Sequence, residues 1–306
     1  MDVLIVGAGI AGLACADALQ SAGMTVTLLD KGRGPGGRMS TRRVPTALGE
    51  ASFDHGAQYF TVRDPDFAGC VEQWRAKGVA ARWPAAGDDA WVGAPAMSAP
   101  VKELAKSLSV TWSSQVDGIE REDGRWRVGE RRYDAAVIAT PAEQAAPLLR
   151  PWDAGFADQA AATRSAPCWT VMAAFAARVP LESDVLREEG ILGWAARNSA
   201  KPGRSGPESW VLQAGPGWSA AHLEQTPDTI VAPLLAAFAG RVGGALPELL
   251  SATAHRWRYA RCGSAGVGFF WNETVRLGAC GDWLIGPRVE AAWLSGRRLA
   301  AAVLGA

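Results

Sequence analysis

Short apolar runs and longer amphipathic ones alternate along the chain, and their order predicts its architecture. Val3 to Val6 are four consecutive apolar positions, the pattern of a strand buried on both faces rather than a half-exposed one. Glycines interrupt the run, IAGLACADALQ then reads as a helix, and MTVTLL at 24–29 supplies a second strand. SSQVDGIERE and GRWRVGERRYDAAVIAT predict short antiparallel strands that lead into an apolar strand at Ala135 to Ala139. CWTVMAAFAA (168–177) and ESWVLQAGPGWS read as β-rich runs, and PDTIVAPLLAAFAGRV as an amphipathic helix that begins near Asp228. TVRLGACGD predicts a last parallel strand, after which Gly286 and Pro287 introduce RVEAAWLSGRRLAAAVL, a helix with proline near its first turn. The predicted fold class is α/β: a Rossmann-like domain with a second α+β lobe on a mixed or antiparallel sheet. The first domain is discontinuous, with residues 1–65, 96–150 and 275–306, and the second lobe takes 66–95 and 151–274.

Composition narrows the function. The chain has 306 residues, 48% of them apolar, with 31 basic against 31 acidic. A chain of this size buries a full core, and zero formal charge gives no global field for nucleic acid or an anionic membrane surface. The expected partner is a small molecule. Five cysteines, Cys15, Cys70, Cys168, Cys262 and Cys280, are far apart and form no CxxC pair, which predicts a reducing compartment. VLIVGAGIAGLACADAL is apolar enough to resemble a signal peptide, but Asp2 stands where a basic n-region belongs. No run reaches the ~20 apolar residues of a membrane span. The expectation is a cytoplasmic protein.

Chemistry enters at the first turn. Gly7, Gly9 and Gly12 fit GxGxxG, with Ala11 inside the motif. The first glycine makes the turn, the second admits a pyrophosphate, and the third lets helix pack on strand, while the helix start offers amides to phosphate. Asp30 falls at the end of the second strand, roughly 20 residues on, where a carboxylate accepts hydrogen bonds from ribose hydroxyls. Behind it runs DKGRGPGGRMSTRR. Lys31, Arg33 and Arg38 in this glycine-rich loop are placed to return across the pyrophosphate, arginine matching phosphate oxygens with a planar fork. Arg42 and Arg43 read as a solvated basic continuation.

GAGIAGL followed by DKGRGPGGRM resembles the two-part FAD signature of the amine oxidase and glutathione reductase-like flavoproteins. FDHGAQYFTVRDPDF, WAARNSAKPGR, AHRWRYAR and CGDWLIGPRVEAAWLSG resemble the bacterial renalases, over nearly the whole chain. The resemblance implies noncovalent FAD and oxidation of the 2- and 6-dihydro isomers of NAD(P) to NAD(P)+, with dioxygen reduced to hydrogen peroxide. It also implies cofactor contacts from His55 and Gly56 of the DHG segment, from Val116 toward adenine, and from Thr140 at a strand end. Val116 reads equally as a core valine. Asp282, beyond the carboxyl end of a parallel strand, is placed for a ribityl hydroxyl. The helix start at Arg288, Val289 and Glu290 would direct amides to the ring, where negative charge accumulates on reduction.

Loss of hydride from a misreduced dihydronicotinamide leaves an aromatic cation, so no catalytic base is required and positioning dominates. The expected substrate surface is aromatic and amide-bearing: Gln58, Tyr59 and Phe60, with Trp91, Thr170, Trp194, His255 and Trp257 from elsewhere. Trp91 and Trp194 read equally as core, and His255 either titrates near neutrality or is structural. CGSAGVG at 262–268 lacks the GxGxxG order, so no second nucleotide fold is expected, and three scattered histidines make no metal cluster. Two alternatives stay open. One is an amine or polyamine oxidase, disfavoured because Lys201, the only lysine of residues 151–274, falls in a loop-like context. The other is an FAD-binding redox sensor without turnover.

Overall fold

A computed structural model describes residues 1–187 and 190–305. The apolar runs build one six-stranded sheet in the order 270–272, 277–279, 135–138, 2–6, 25–29, 109–111. All its pairings are parallel except the edge pair 270–272 with 277–279. Val3, Leu4 and Ile5 are fully buried, as a central strand covered on both faces requires. The expected last parallel strand is Leu277–Ala279, and the helix after it spans Val289–Gly305. That helix lies on the first helix, Ile10–Ser21, closely enough that a Cβ on Gly296 would overlap the Ala11 carbonyl oxygen. Both ends of the chain thus meet beneath one turn.

The second lobe is a five-stranded antiparallel sheet, ordered 185–187, 192–197, 208–214, 165–175, 249–262. Its outer face is covered by helix Pro227–Val242, whose Ile230, Leu234 and Phe238 pack on Trp169, Val171 and Leu212. Its inner face sets Met172, Ala174 and Val211 against Ala51 and Phe53. These two come from a hairpin of Thr41–Thr46 and Gly49–Asp54 that reaches from the first lobe onto the second. The 14-residue strand Leu249–Cys262 is the largest element the sequence reading did not assign. Residues 66–95, expected with the second lobe, bury Phe67, Val71, Trp74 and Trp91 in the same core as Val3, Leu13 and Leu28. No helix among the described residues is long and apolar enough to cross a membrane.

Candidate functional site

The glycine turn is built as its spacing predicts. Gly7 has φ +106°, and a Cβ there would press on the Ala139 carbonyl at 2.7 Å; one on Gly12 would overlap the Gly7 carbonyl oxygen. Gly9 meets nothing within 4 Å of a built Cβ, so its open side faces space that a ligand can enter. That space is a cavity of about 1640 Å³ running from the turn to the inner face of the second lobe. Drug-sized pockets reach about 1,000 Å³, so this one has room for a dinucleotide and a second molecule.

Gly7, Gly9, Asp30, Lys31, Arg33, Arg38, His55, Val116, Thr140 and His255 all line it. Val116 therefore serves a cavity wall as well as packing on the neighbouring core. Thr140 adds a buried hydroxyl oxygen with no partner, an unmet bond pointing to a ligand. Asp30 is more constrained than expected: its two oxygens accept the Ala8 and Gly32 amides, each at 2.6 Å. A carboxylate has further lone pairs for a ribose. Arg38 and Asp282, expected to act separately, form one ion pair at 2.6 Å. Burial opposes the Arg38 charge, yet Asp282 more than offsets this and the pKa is raised. Asp282 meets the cavity through that arginine, at the start of the short helix Asp282–Ile285.

Ala11, Gly12, Gly56, Arg288 and Val289 do not line the cavity, and Arg288 is exposed. Ala11 and Gly12 are buried at the helix contact, and a Cβ on Gly56 would overlap the Arg38 carbonyl oxygen, so Gly56 permits the loops to touch. Arg288 and Val289 start the last helix, where Glu290 turns inward and its Oε1 accepts the Arg63 and Asp64 amides at 2.6 and 2.8 Å. The helix start is thereby tied to the segment that follows DHGAQYF.

The inner face of the long strand follows period-two alternation. Ser251, Thr253, His255, Trp257 and Tyr259 line the cavity as alternate residues on one face of a strand, and Arg256 and Arg258 from the other face reach it as well. In the ladder His255 pairs with Thr170, and Thr170 pairs with Gln213, so three uncharged polar side chains lie in a row across three strands. Gln213 Nε2 donates to the Gly56 carbonyl at 2.8 Å, and Trp257 Nε1 to the His55 carbonyl at 2.7 Å. The row runs under the DHG loop, but Thr170, expected on the substrate surface, is fully buried, and of the three only His255 lines the cavity. Gln213 was missed in the sequence; its signal was the i+2 pattern of VLQ in an apolar strand. His55 packs on His255 and Trp257, with ring centroids 4.9 and 5.2 Å apart. Burial, His255 and Arg42 push the His55 pKa down to about 4, and burial with Arg42 also lowers that of His255. Both imidazoles are thereby disfavoured as cations, His55 the more strongly buried of the two.

Two other expectations change. Arg42 and Arg43 are on a strand rather than in a loop and both line the cavity, Arg42 half-buried and Arg43 solvated as expected. Lys201 is fully buried: its Nζ donates to Asp54 and Gln58, each at 3.2 Å, and lies 5.1 Å from the Trp83 ring centre. Asp54 is also held by Arg204 at 2.5 Å, by Thr41 and by the Met97 amide. Burial would raise the Asp54 pKa, but the two cations and these bonds hold it at about 2; burial brings Lys201 down to about 8 against the pull of Asp54. Gln58 is thus buried beneath the DHG loop, braced by Lys201 and donating to the Asp54 and Gly56 carbonyls. Phe60 is 3% exposed and edge-on to Phe67 and Trp74, and Trp91 is 2% exposed across the ladder from it. The burial of these two aromatics accounts for them as core. Tyr59 and Trp194 stack on each other, centroids 5.6 Å apart, with Arg187 over the indole. No group of His, Cys, Asp or Glu among the described residues is arranged to hold a metal.

Residues 5–74 match the family described as an NAD(P)-binding Rossmann-like domain. Hydroxyneurosporene desaturase of Rhodobacter capsulatus is 43% identical over 72 residues, 22% of this chain; the matched stretch is 14% of that protein's length. Residues 5–74 therefore carry a dinucleotide-binding fold. Over the full chain, cyclohexylamine oxidase from Brevibacterium oxydans superposes with a TM-score of 0.72 at 14% identity, covering 99% of this chain and 98% of the other. A putrescine oxidase variant gives 0.71 at 13% identity, with the same coverage. At these identities the likeness is one of fold. The turn, the open Gly9 side, the orphaned Thr140 hydroxyl and the cavity volume fit FAD.

Proposed function

We propose that the chain is an FAD-dependent oxidase acting on 2- and 6-dihydro isomers of NAD(P) and returning NAD(P)+, with dioxygen as the final acceptor. When bound, FAD supplies a hydride acceptor that dioxygen can reoxidise. The turn at Gly7 to Gly12 and the amides of the first helix hold a pyrophosphate. Asp30 takes the ribose, and the Arg38–Asp282 pair supplies a cation and an acceptor from opposite ends of the chain.

The observation that carries the proposal is the inner-face wall of Ser251, Thr253, His255 and Trp257, with Gln213 beside it facing the DHG loop and Thr170 buried between them. It holds amide, hydroxyl and neutral imidazole groups and no carboxylate. Such groups orient a flat carboxamide-bearing ring by hydrogen bonds without removing a proton, as hydride loss to an aromatic cation allows. Trp257 and His55 add aromatic walls. Rate then depends on fixing the donor carbon in an attack geometry, a contribution that elsewhere reaches several kcal/mol.

A second reading, amine oxidation, draws support from the likeness to cyclohexylamine and putrescine oxidases and from Lys201, now seen to be buried. Its ammonium is engaged by Asp54 and Gln58, which argues for a bracing role. Oxygen uptake by the FAD-loaded protein, with products separated by chromatography, distinguishes the readings. Dihydro-NAD(P) isomers should consume oxygen and yield NAD(P)+, and amines should not; uptake with amines alone overturns the proposal.

A further inference from the structure

Eight basic residues line the cavity, and most have an assigned task. Arg38 pairs with Asp282, Arg43 with Glu50 at 3.5 Å, and Arg256 and Arg258 with Glu224 at 3.2 and 2.7 Å. Lys31 and Arg33 follow Asp30 at the nucleotide end. Lys102 stands exposed on the rim. Arg42 differs from all of these. It is half-buried on the wall, and among the described residues no carboxylate lies within ion-pair distance of it. The acids of the wall are engaged elsewhere: Asp30 by two amides, Glu143 by Ser165 and Asp117 by Gln115.

Strand alternation fixes where Arg42 points. It lies across the hairpin ladder from Phe53 and two residues before Val44. All three therefore share one face, and Phe53 and Val44 pack on the inner face of the second lobe with Met172 and Val211. The guanidinium is thus directed toward the second lobe, near enough to His55 and His255 to disfavour a charge on either. A half-buried, unpaired cation beside two imidazoles whose own charging it disfavours is an incomplete arrangement. An anion completes it, and the wall hydroxyls of Ser251 and Thr253 add donors.

We propose that Arg42, with His255 beside it, forms an anion subsite on the second-lobe side of the cavity that receives the 5′-phosphate of a nucleotide substrate. This rests on the reading of the protein as a dihydronicotinamide oxidase, and it names which part of that substrate is held away from the reacting ring. One charge-assisted contact of this kind typically changes an affinity roughly tenfold to a hundredfold.

The test compares dihydronicotinamide mononucleotide with the matching riboside, which has the same ring and no phosphate. In R42A the half-saturating concentration for the nucleotide should rise roughly tenfold or more relative to that for the riboside, and R42K should recover part of the ratio. An unchanged ratio overturns the subsite, as does a loss of FAD affinity in R42A, which would assign the guanidinium to the cofactor. If neither donor reduces the wild-type protein, that failure belongs to the proposed reaction. Calorimetry of the FAD-loaded protein with inorganic pyrophosphate then decides: binding weakened in R42A supports the subsite, and equal or absent binding refutes it.

Discussion

At the residue scale, close approach and buried charge decide most outcomes. A methyl on Gly12 would overlap the Gly7 carbonyl oxygen, so G12A should open the turn and abolish FAD binding, read as a colourless protein that takes up no added cofactor. The Asp54, Lys201 and Arg204 cluster is more costly to disturb. D54N would leave two buried cations facing a neutral amide, and breaking a buried ion pair costs about 3–5 kcal/mol. Urea denaturation should register that loss, with R204K losing less than D54N. The acid dependence has a definite sign. His55 is held at about 4 against an ordinary 6.5, so between these values the unfolded chain binds a proton that the folded one refuses. Stability should therefore fall as pH drops from 6.5 to 4, and H55Q should flatten this limb in denaturation midpoints measured across the range. Lys201 acts at the other end: held at about 8 against 10.5, it should make stability rise with pH between those values, a slope absent from K201M.

At the element scale, the contact between the first and last helices is the joint that brings the chain ends together. Gly296 sits against the Ala11 carbonyl, and G296V should force the helices apart at a cost of about 1–3 kcal/mol, lowering both the melting temperature and FAD retention. These elements were legible because their patterns are strong: four apolar residues before a glycine turn, and a proline before a 17-residue helix. The long strand Leu249–Cys262 was not. Its alternation sets Ser, Thr, His, Trp and Tyr against Ala and Arg, so neither face reads as apolar and the period-two signal is hidden. For the same reason Arg42 looked solvated: STRR resembles an exposed loop until the ladder with Phe53 fixes its face. Gln58 and Phe60 were expected to line the substrate site because they follow the DHG glycine; Lys201 and the aromatic core around Trp74 draw them inward.

At the scale of the whole molecule, the site is a seam. The dinucleotide turn comes from one lobe and the polar row Gln213, Thr170 and His255 from the other, and the hairpin that carries Arg42 reaches from the first onto the second. No local motif encodes that arrangement, because it exists only when both sheets are folded and docked. The likeness to amine oxidases extends over both lobes, so the shared fold does not choose the donor; the side chains on the inner face do. The most direct test is rapid anaerobic mixing of the FAD-loaded protein with borohydride-reduced NAD isomers, following the flavin absorbance. The account predicts fast bleaching that saturates with donor and slows at least tenfold when His255 and Gln213 are both replaced by Leu, through loss of two orienting hydrogen bonds of about 1 kcal/mol each. Bleaching by amines but not by these isomers would contradict it.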